Sequence, residues 1–438
     1  MLHAFARKSV PKALVIKACS RVYRRSADPR VGSGTAVAIA FPSSRGSIGD
    51  EAMAVALASG LKAHGCTLGL MPYSAHDSWD DLSAFSSIRP QPGHSPIQWW
   101  KAARWLRQFD AFGVIGADVL DGYYSDQKSV RSLQLAHLAH KLGLRSVLLG
   151  FSYRESPGPN ALAYLRDIGP SLKLLTRDPV SGRRISRLAG LNSYAVADLA
   201  FLLQPDQSSS RVKSAVDWVH SKRTQKRTVI GLNCNAQVLG RAHPTQAEVL
   251  AERFANSANR LASRHSNISF LLIPHDGRGE SSDLILARSV WNRLDAKTRA
   301  ESHLIDQVWR AAEIKAVASY LDFAITGRMH FGIACLGSGV PVASLTYQDK
   351  FEGLYELFGI EPVAIPGESA TDPGILDGLF EQILNRSAAL RSTIAGRLPL
   401  VLGLAQANID HLLGSIVPAE SGSRFPLETG HPSDTLRA

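Results

Sequence analysis

The feature that most restricts how this chain can fold is a repeated alternation. Short runs that are apolar at nearly every position are each followed by turn residues and then by a stretch with helical spacing. In the first half, strands are predicted at Thr35–Phe41, Thr67–Tyr73, Ala111–Ile115, Ser146–Phe151, Leu172–Thr176 and Tyr194–Ala197, with helices at Glu51–Lys62 and Val130–Lys141. In the second half, strands are predicted at Thr228–Leu232, Ile268–Ile273, Phe323–Ile325 and Val342–Leu345, with helices at Gln246–Ala262 and Lys350–Leu357. A strand that is apolar on both faces has no solvent side. Such strands belong to parallel sheets covered by helices above and below.

Two such blocks in series predict an α/β chain of two Rossmann-like domains with parallel sheets, at 34–205 and 227–416. A length of 438 residues agrees, because it exceeds what one hydrophobic core usually serves. The polar stretch Gln204–Lys226, with Ser208, Ser209 and Ser210 together, is read as the connection, with the linker at 206–226. The tail 417–438, rich in Ser, Pro, Gly and charge, is predicted to be disordered. Residues 1–33 form a basic arm. Its first 27 residues hold no Asp or Glu, but carry Arg7, Lys8, Lys12, Lys17, Arg21, Arg24 and Arg25 among apolar residues. That pattern suits peripheral contact with an anionic membrane surface, and equally a solvated arm.

Ligands of open parallel sheets bind beyond the carboxyl ends of the strands. The polar residues that follow the predicted strands are therefore the candidate site: Asp50 after the first strand, Asp118 after the third, Ser152 after the fourth and Arg177 after the fifth. In the second block they are Asn233, His275, and the run Arg328-Met329-His330. An apolar core needs none of these, and arginines, histidines and carboxylates on one rim suit an anionic substrate. The segment Thr326–Val342 is the most informative. A strand ends at Thr326, Gly327 permits a tight turn, and a helix of about two turns follows before Gly337, Gly339 and Pro341. Arg328 and His330 then lie at a helix N-terminus, where free amides and the dipole favour anions. Arg supplies a planar fork of donors, and His can move protons near neutrality.

Thr326-Gly327-Arg328-Met329-His330, then Gly339-Val340-Pro341-Val342, then Tyr347-Gln348-Asp349-Lys350-Phe351-Glu352-Gly353-Leu354 resemble the C-terminal signature of polysaccharide pyruvyltransferases. Gly49-Asp50-Glu51-Ala52 resembles that family's Gly-Asp loop, and Arg177-Asp178 with Ser181 and Asp198 resembles its central stretch. The resemblance covers roughly Thr35 to Ile360. It implies a GT-B-like enzyme with its site in the interdomain cleft, the first domain on the acceptor side and the second on the donor side. The donor it implies is phosphoenolpyruvate, a co-substrate rather than a cofactor. The acceptor is a sugar diol of an exopolysaccharide or its oligosaccharide precursor, free or lipid-linked, and the products are a pyruvate ketal and phosphate. On this reading Arg177, Arg328 and Met329 bind phosphoenolpyruvate, while His330 and Asp50 move protons. Asn233, His275, Asp118 and Ser152 are further candidate substrate contacts.

Each residue also has a plainer role open to it. Arg328 and His330 could cap a helix, Asp50 could be an N-cap, and Arg177-Asp178 could be a surface ion pair. Trp99, Trp100 and Trp105 could stack on sugars, but their helical spacing favours the core. A nucleotide-sugar glycosyltransferase of the same architecture is the first competing reading. A non-catalytic glycan- or membrane-binding module is the second. A net charge of +11 favours anionic partners, but it is dispersed, without the basic, aromatic-studded stripe of a nucleic-acid binder. The scattered Cys19, Cys66, Cys234 and Cys335 show neither metal-ligand nor disulfide spacing, consistent with a cytoplasmic location and no bound metal. No uninterrupted apolar run is long enough to span a bilayer.

Overall fold

The apolar runs pair into two all-parallel sheets in the computed structural model, which describes residues 16–18, 21, 34–43, 46–73, 85–240, 244–278, 282–347 and 350–415. The tail 417–438 and nearly all of the basic arm at 1–33 lie outside the described residues. The first sheet holds β1 (Ala36–Ala40), β2 (Thr67–Met71), β3 (Ser87–Ile88), β4 (Ala111–Ala117), β5 (Arg145–Phe151), β6 (Lys173–Thr176) and β7 (Tyr194–Ala195). Their order is β3-β2-β1-β4-β5-β6-β7. The second holds β8 (Thr228–Asn233), β9 (Ile268–Leu272), β10 (His303–Leu304), β11 (Phe323–Thr326), β12 (Val342–Thr346) and β13 (Ala364–Pro366), ordered β10-β9-β8-β11-β12-β13. Each sheet thus starts in its middle, winds outward, returns, and winds the other way. All seven residues of β4 are buried, which is why that run carries no polar side chain until its end.

Thirteen α-helices connect or cover the described strands. In the first half they are α1 (Ile48–Ala63), α2 (Pro96–Leu106), α3 (Asp126–Lys141), α4 (Pro159–Ile168) and α5 (Pro179–Arg184). In the second half they are α6 (Ser210–Thr224), α7 (Pro244–Arg264), α8 (Asp283–Arg293), α9 (Ala296–Ala300), α10 (Ala311–Ala318), α11 (Met329–Leu336), α12 (Lys350–Phe358) and α13 (Ile375–Leu413).

The stretch 206–226, read from sequence as a linker, is mostly the packed helix α6. Its polarity hides a narrow buried stripe of Val212, Ala215, Val219 and Lys222, all on one helical face. The tryptophans of α2 belong to the core: Trp99 and Trp105 are buried, and their indole N–H groups donate to the Gly93 carbonyl and the Ser87 hydroxyl. Helix α13 is the one described helix long and apolar enough, by length and composition, to cross a bilayer. Its ends are instead packed, one on each domain. Leu379, Phe380 and Ile383 are buried near its start, while at its end Asn408 donates to the Ala197 carbonyl and the Leu412 carbonyl accepts from Arg145. One apolar cluster runs from the inner face of the first sheet through α1 and α13 into the second domain. That shared core sets the two sheet ends against each other.

Candidate active site

Strand order reverses between β1 and β4 in the first sheet and between β8 and β11 in the second. Such switch points open a crevice beyond the strand ends. Here the two crevices face each other around a cavity of about 330 Å³. Asp50, Asp118 and Arg177 line it from the first domain, and His275, Arg328, Met329 and His330 from the second. Ser152 and Asn233 do not line it; they lie behind it and hold residues that do.

Three consecutive residues at the start of α1 each act across the cleft. Gly49 lies so close to His330 that a Cβ there would sit 2.1 Å from the imidazole Nδ1, so only glycine leaves the ring where it is. Asp50 points into the cavity and accepts a hydrogen bond from Ser43. Ser47, not Asp50, is the N-cap residue of α1. Burial raises the Asp50 carboxyl above the usual range, and Ser43 and His330 only partly offset this. Glu51 reaches the other domain and accepts from the Ala311 amide at 2.9 Å, satisfying a free donor at the start of α10. Just before α1, Ser47 pairs backbone to backbone with Asp276.

The opposite wall is the start of α11. The Thr326 hydroxyl accepts from the Arg328 amide at 2.8 Å and donates to Asn233, closing the turn that Gly327 allows. Asn233 also donates to Asp283, and Asp283 accepts from Arg328 Nε at 3.1 Å and from Nη2 at 2.7 Å. Nη1 of Arg328 donates to Gln237 and lies 3.2 Å from Asp276. Burial works against both charges: it leaves the Asp283 carboxyl above its usual range, although Arg328 and Asn233 favour the carboxylate, while Asp283 and Asp276 hold the proton on the Arg328 guanidinium. Met329 and His330 follow in the first turn of α11, where the backbone amides have no intrahelical acceptor.

His330 connects the domains. Its Nε2 lies 3.6 Å from Asp198, just outside hydrogen-bond distance. Asp198 in turn accepts from Arg177 Nη1 at 2.6 Å. Burial would raise the Asp198 carboxyl, but Arg177, with help from His330, holds it down at about 2. Arg177 Nε donates to Ser152, which donates to Asp178, the N-cap of α5. The guanidinium is therefore fixed by two partners while still lining the cavity. His275 packs against the Phe331 ring, and burial, with His330 and Arg328 nearby, lowers its pKa to about 3. It is neutral at ordinary pH.

Several lining residues were not read as site residues from sequence. Lys350, the first residue of α12, pairs across the cleft with Asp118 and donates to the Tyr124 hydroxyl at 3.1 Å. Burial alone would discharge both partners; each instead favours the charged form of the other, so Asp118 falls well below and Lys350 rises well above its usual range. Lys350 stood within the recognised signature, but its partner lies 232 positions earlier in a different domain, which no local pattern reveals. Gly353 of that signature has a packing reason: a Cβ there would meet the Asp178 carboxylate at 2.3 Å. Arg278 lines the second-domain wall and pairs with Asp276 at 2.7 Å. Tyr73 and Lys128 close the first-domain side. Among the described residues, no group of three His, Cys, Asp or Glu side chains is arranged to hold a metal ion.

The arrangement offers anion-binding groups from both domains, an imidazole held between a carboxylate and a glycine, and a buried carboxyl with a raised pKa. That set can grip a small polyanion and move protons beside it.

No curated protein sequence matches the chain. Solved structures match in fold. UDP-GlcNAc 2-epimerase from Neisseria meningitidis, bound to UDP-GlcNAc, superposes with a TM-score of 0.55 at 12% identity, covering 87% of this chain and 100% of that one. UDP-GlcNAc 2-epimerase from Methanocaldococcus jannaschii gives 0.55 at 11% identity, covering 80% and 93%. A ugt transferase from Siraitia grosvenorii in complex with UDP gives 0.50 at 12%, covering 86% and 99%. These likenesses place the chain in the GT-B-type two-domain architecture, as the sequence predicts. The family model for polysaccharide pyruvyl transferase matches residues 48–349, which takes in the cleft residues described above apart from Ser43, Ser47, Lys350 and Gly353. The chain is a member of the polysaccharide pyruvyl transferase family and, as such, a transferase.

Proposed function

We propose that this enzyme moves the pyruvyl group of phosphoenolpyruvate onto two hydroxyls of one sugar, forming a cyclic ketal and releasing inorganic phosphate. The observation that carries the reading is the Arg177–Asp198–His330 link, which sets an arginine of one domain and an imidazole of the other against one cavity beside the free amides of α11. Phosphoenolpyruvate bears a carboxylate and a phosphate on three carbons, so a dry site for it needs several fixed positive groups. Arg177, Arg328 and the first-turn amides of α11, including that of Met329, fill that role. The cavity is at the small end of the usual range for ligand sites, which suits a three-carbon donor with one sugar ring better than a nucleotide sugar.

The chemistry follows from those positions. His330 delivers a proton to the methylene carbon, which becomes the methyl group and leaves the central carbon electrophilic. A sugar hydroxyl attacks that carbon and gives its proton to a base. The bond from the central carbon to the phosphate oxygen breaks, and phosphate departs. The second hydroxyl then closes the ring, its proton leaving with phosphate or solvent. Asp50, on the first-domain wall, is the base for the acceptor, because a raised carboxyl accepts a proton more readily than an ordinary one. Ser152, Asn233 and Asp283 position the two arginines, and neutral His275 packs on Phe331, the residue after His330.

The test uses phosphoenolpyruvate labelled with carbon-13 at its central carbon, incubated with enzyme and a panel of glycans. Phosphate release together with a new ketal-carbon resonance is expected. His330→Ala should abolish both while the unfolding transition stays in place. No phosphate release with any glycan, combined with tight binding of a UDP-sugar, would favour a nucleotide-sugar enzyme instead. Retained glycan affinity without turnover in either protein would favour a binding module.

A further inference from the structure

The cations that line the cleft, together with Arg131 beside Lys128 on α3, fall into two groups. Arg177, Arg328, Arg278 and Lys350 are each matched by a carboxylate: Asp198, Asp283, Asp276 and Asp118. Lys128 and Arg131 are not. Among the described residues neither has a carboxylate within ion-pair distance, and both lean on one aromatic ring. Lys128 Nζ lies 4.9 Å from the centre of the Tyr73 ring, and the Arg131 guanidinium lies 5.5 Å from it while donating to the Tyr73 hydroxyl at 3.3 Å. Arg131 does not itself line the cavity but is tied to it through Tyr73. Ser125, Lys128 and Ser132 line the cavity at intervals that put them on one face of α3, and Tyr73 lines it from the end of β2.

A cation with a neighbouring carboxylate can be held in place with no ligand present. Two cations without one create a positive potential that a ligand's own charge must satisfy. The tyrosine ring between them offers a flat apolar face, the usual partner of a sugar ring. Tyr73 and Lys128 line the first-domain wall that also carries Asp50, the base assigned to the acceptor, and on that reading they lie on the acceptor side.

We propose that the acceptor is an anionic glycan, whose carboxylate or phosphate lies on the pyruvylated sugar or on the residue joined to it, and that Lys128 and Arg131 hold this charge beside Tyr73. The proposal rests on the pyruvyl-transfer reading for which wall is the acceptor side, and it adds the substrate class. Two partly exposed charge contacts are worth about tenfold in affinity together.

The test is calorimetric binding of matched ligands: the methyl glycosides of glucose, galactose and mannose, their uronates, and the corresponding sugar 1-phosphates. Wild type is compared with the Lys128→Gln/Arg131→Gln double variant, and phosphoenolpyruvate is titrated into the same samples. For at least one ring, an anionic form should bind wild type about tenfold more tightly than the neutral form, with the difference shrinking as salt is added and falling to about twofold in the double variant. Comparing uronate with phosphate identifies which anion is preferred. Equal binding of neutral and anionic forms, a preference that survives in the double variant, or no measurable binding of any anionic form would each overturn the proposal. Phosphoenolpyruvate that fails to bind wild type, while wild type shows an anionic preference that the double variant loses, would instead contradict the donor reading and leave the anion site standing.

Discussion

Replacing Gly49 with alanine tests the position of the imidazole without touching a single charged group. The new Cβ would stand 2.1 Å from His330 Nδ1, 2.3 Å from Cγ and 2.8 Å from Cε1. Ordinary carbon contacts begin near 3.4 Å, so the ring must retreat by roughly 1 Å, a displacement that can cost about 100-fold in rate when it separates a proton donor from its target. That factor corresponds to about 2.7 kcal/mol in the barrier. Stability should change much less. Gly49 sits inside α1, where alanine gains about 0.5–1 kcal/mol of helix preference, while crowding costs about 1–3 kcal/mol. The net loss is at most about 2.5 kcal/mol. The assay is steady-state phosphate release from phosphoenolpyruvate with the accepted glycan, alongside thermal unfolding of the same samples. Gly378→Ala, a helical glycine of α13 with nothing within 4 Å, is the control and should keep full activity. A Gly49→Ala enzyme with kcat within twofold of wild type would refute the reasoning, because the ring would then be free to move without consequence.

Three further outcomes follow from the same geometry. Asp50→Asn should lower kcat by about 100-fold or more, if the carboxyl is the acceptor base. It should also raise stability at pH 7. Burial lifts the folded pKa of Asp50, so its charged form opposes folding above the unfolded value; the gain should vanish below about pH 4, where the carboxyl is protonated in both states. Asp283→Ala should strand Arg328 without its two-pronged partner, costing about 3–5 kcal/mol in denaturant unfolding and raising KM for phosphoenolpyruvate. Asp198 has a folded pKa of about 2, below its unfolded value, so its contribution to stability is complete above about pH 4 and fades as pH falls through about 2. Unfolding free energy measured from pH 5 down to pH 2 should show this acid limb, on the order of 2 kcal/mol, and Asp198→Asn should flatten it.

The central strands were legible because burial on both faces favours apolar side chains, so β1, β4, β5, β8 and β9 read as mainly apolar runs; the buried Ser146 and Ser269 within them are hydrogen-bonded to Ala136 and Arg227. The edge strands β3, β10 and β13 span two or three residues and have no run to detect. Helix α6 looked like a connector because its buried stripe is only one residue wide. Helix α13 escaped notice for a different reason. Its apolar face changes partner partway along, and it contains Pro399, which ordinarily ends a helix. Much of the cavity lining was legible from one rule, that ligands gather past strand ends: His330, Arg328, Met329, Arg177, His275, Asp50 and Asp118 all line it. The rule could not say which residues face the cavity and which stand behind it, so Ser152 and Asn233 were grouped with substrate contacts, although their hydrogen bonds go to Arg177 and Asp283. The pairing of Lys350 with Asp118 and the contact of Gly49 with His330 arise only when the domains close on each other.

The most direct measurement is a structure of the enzyme with phosphoenolpyruvate, or an unreactive analogue, bound. The account predicts that the phosphate and carboxylate span the cleft between Arg177 and the start of α11, with the methylene carbon within reach of the His330 ring. An anion found in contact with one domain only, or on the far side of the cleft from His330, would contradict it.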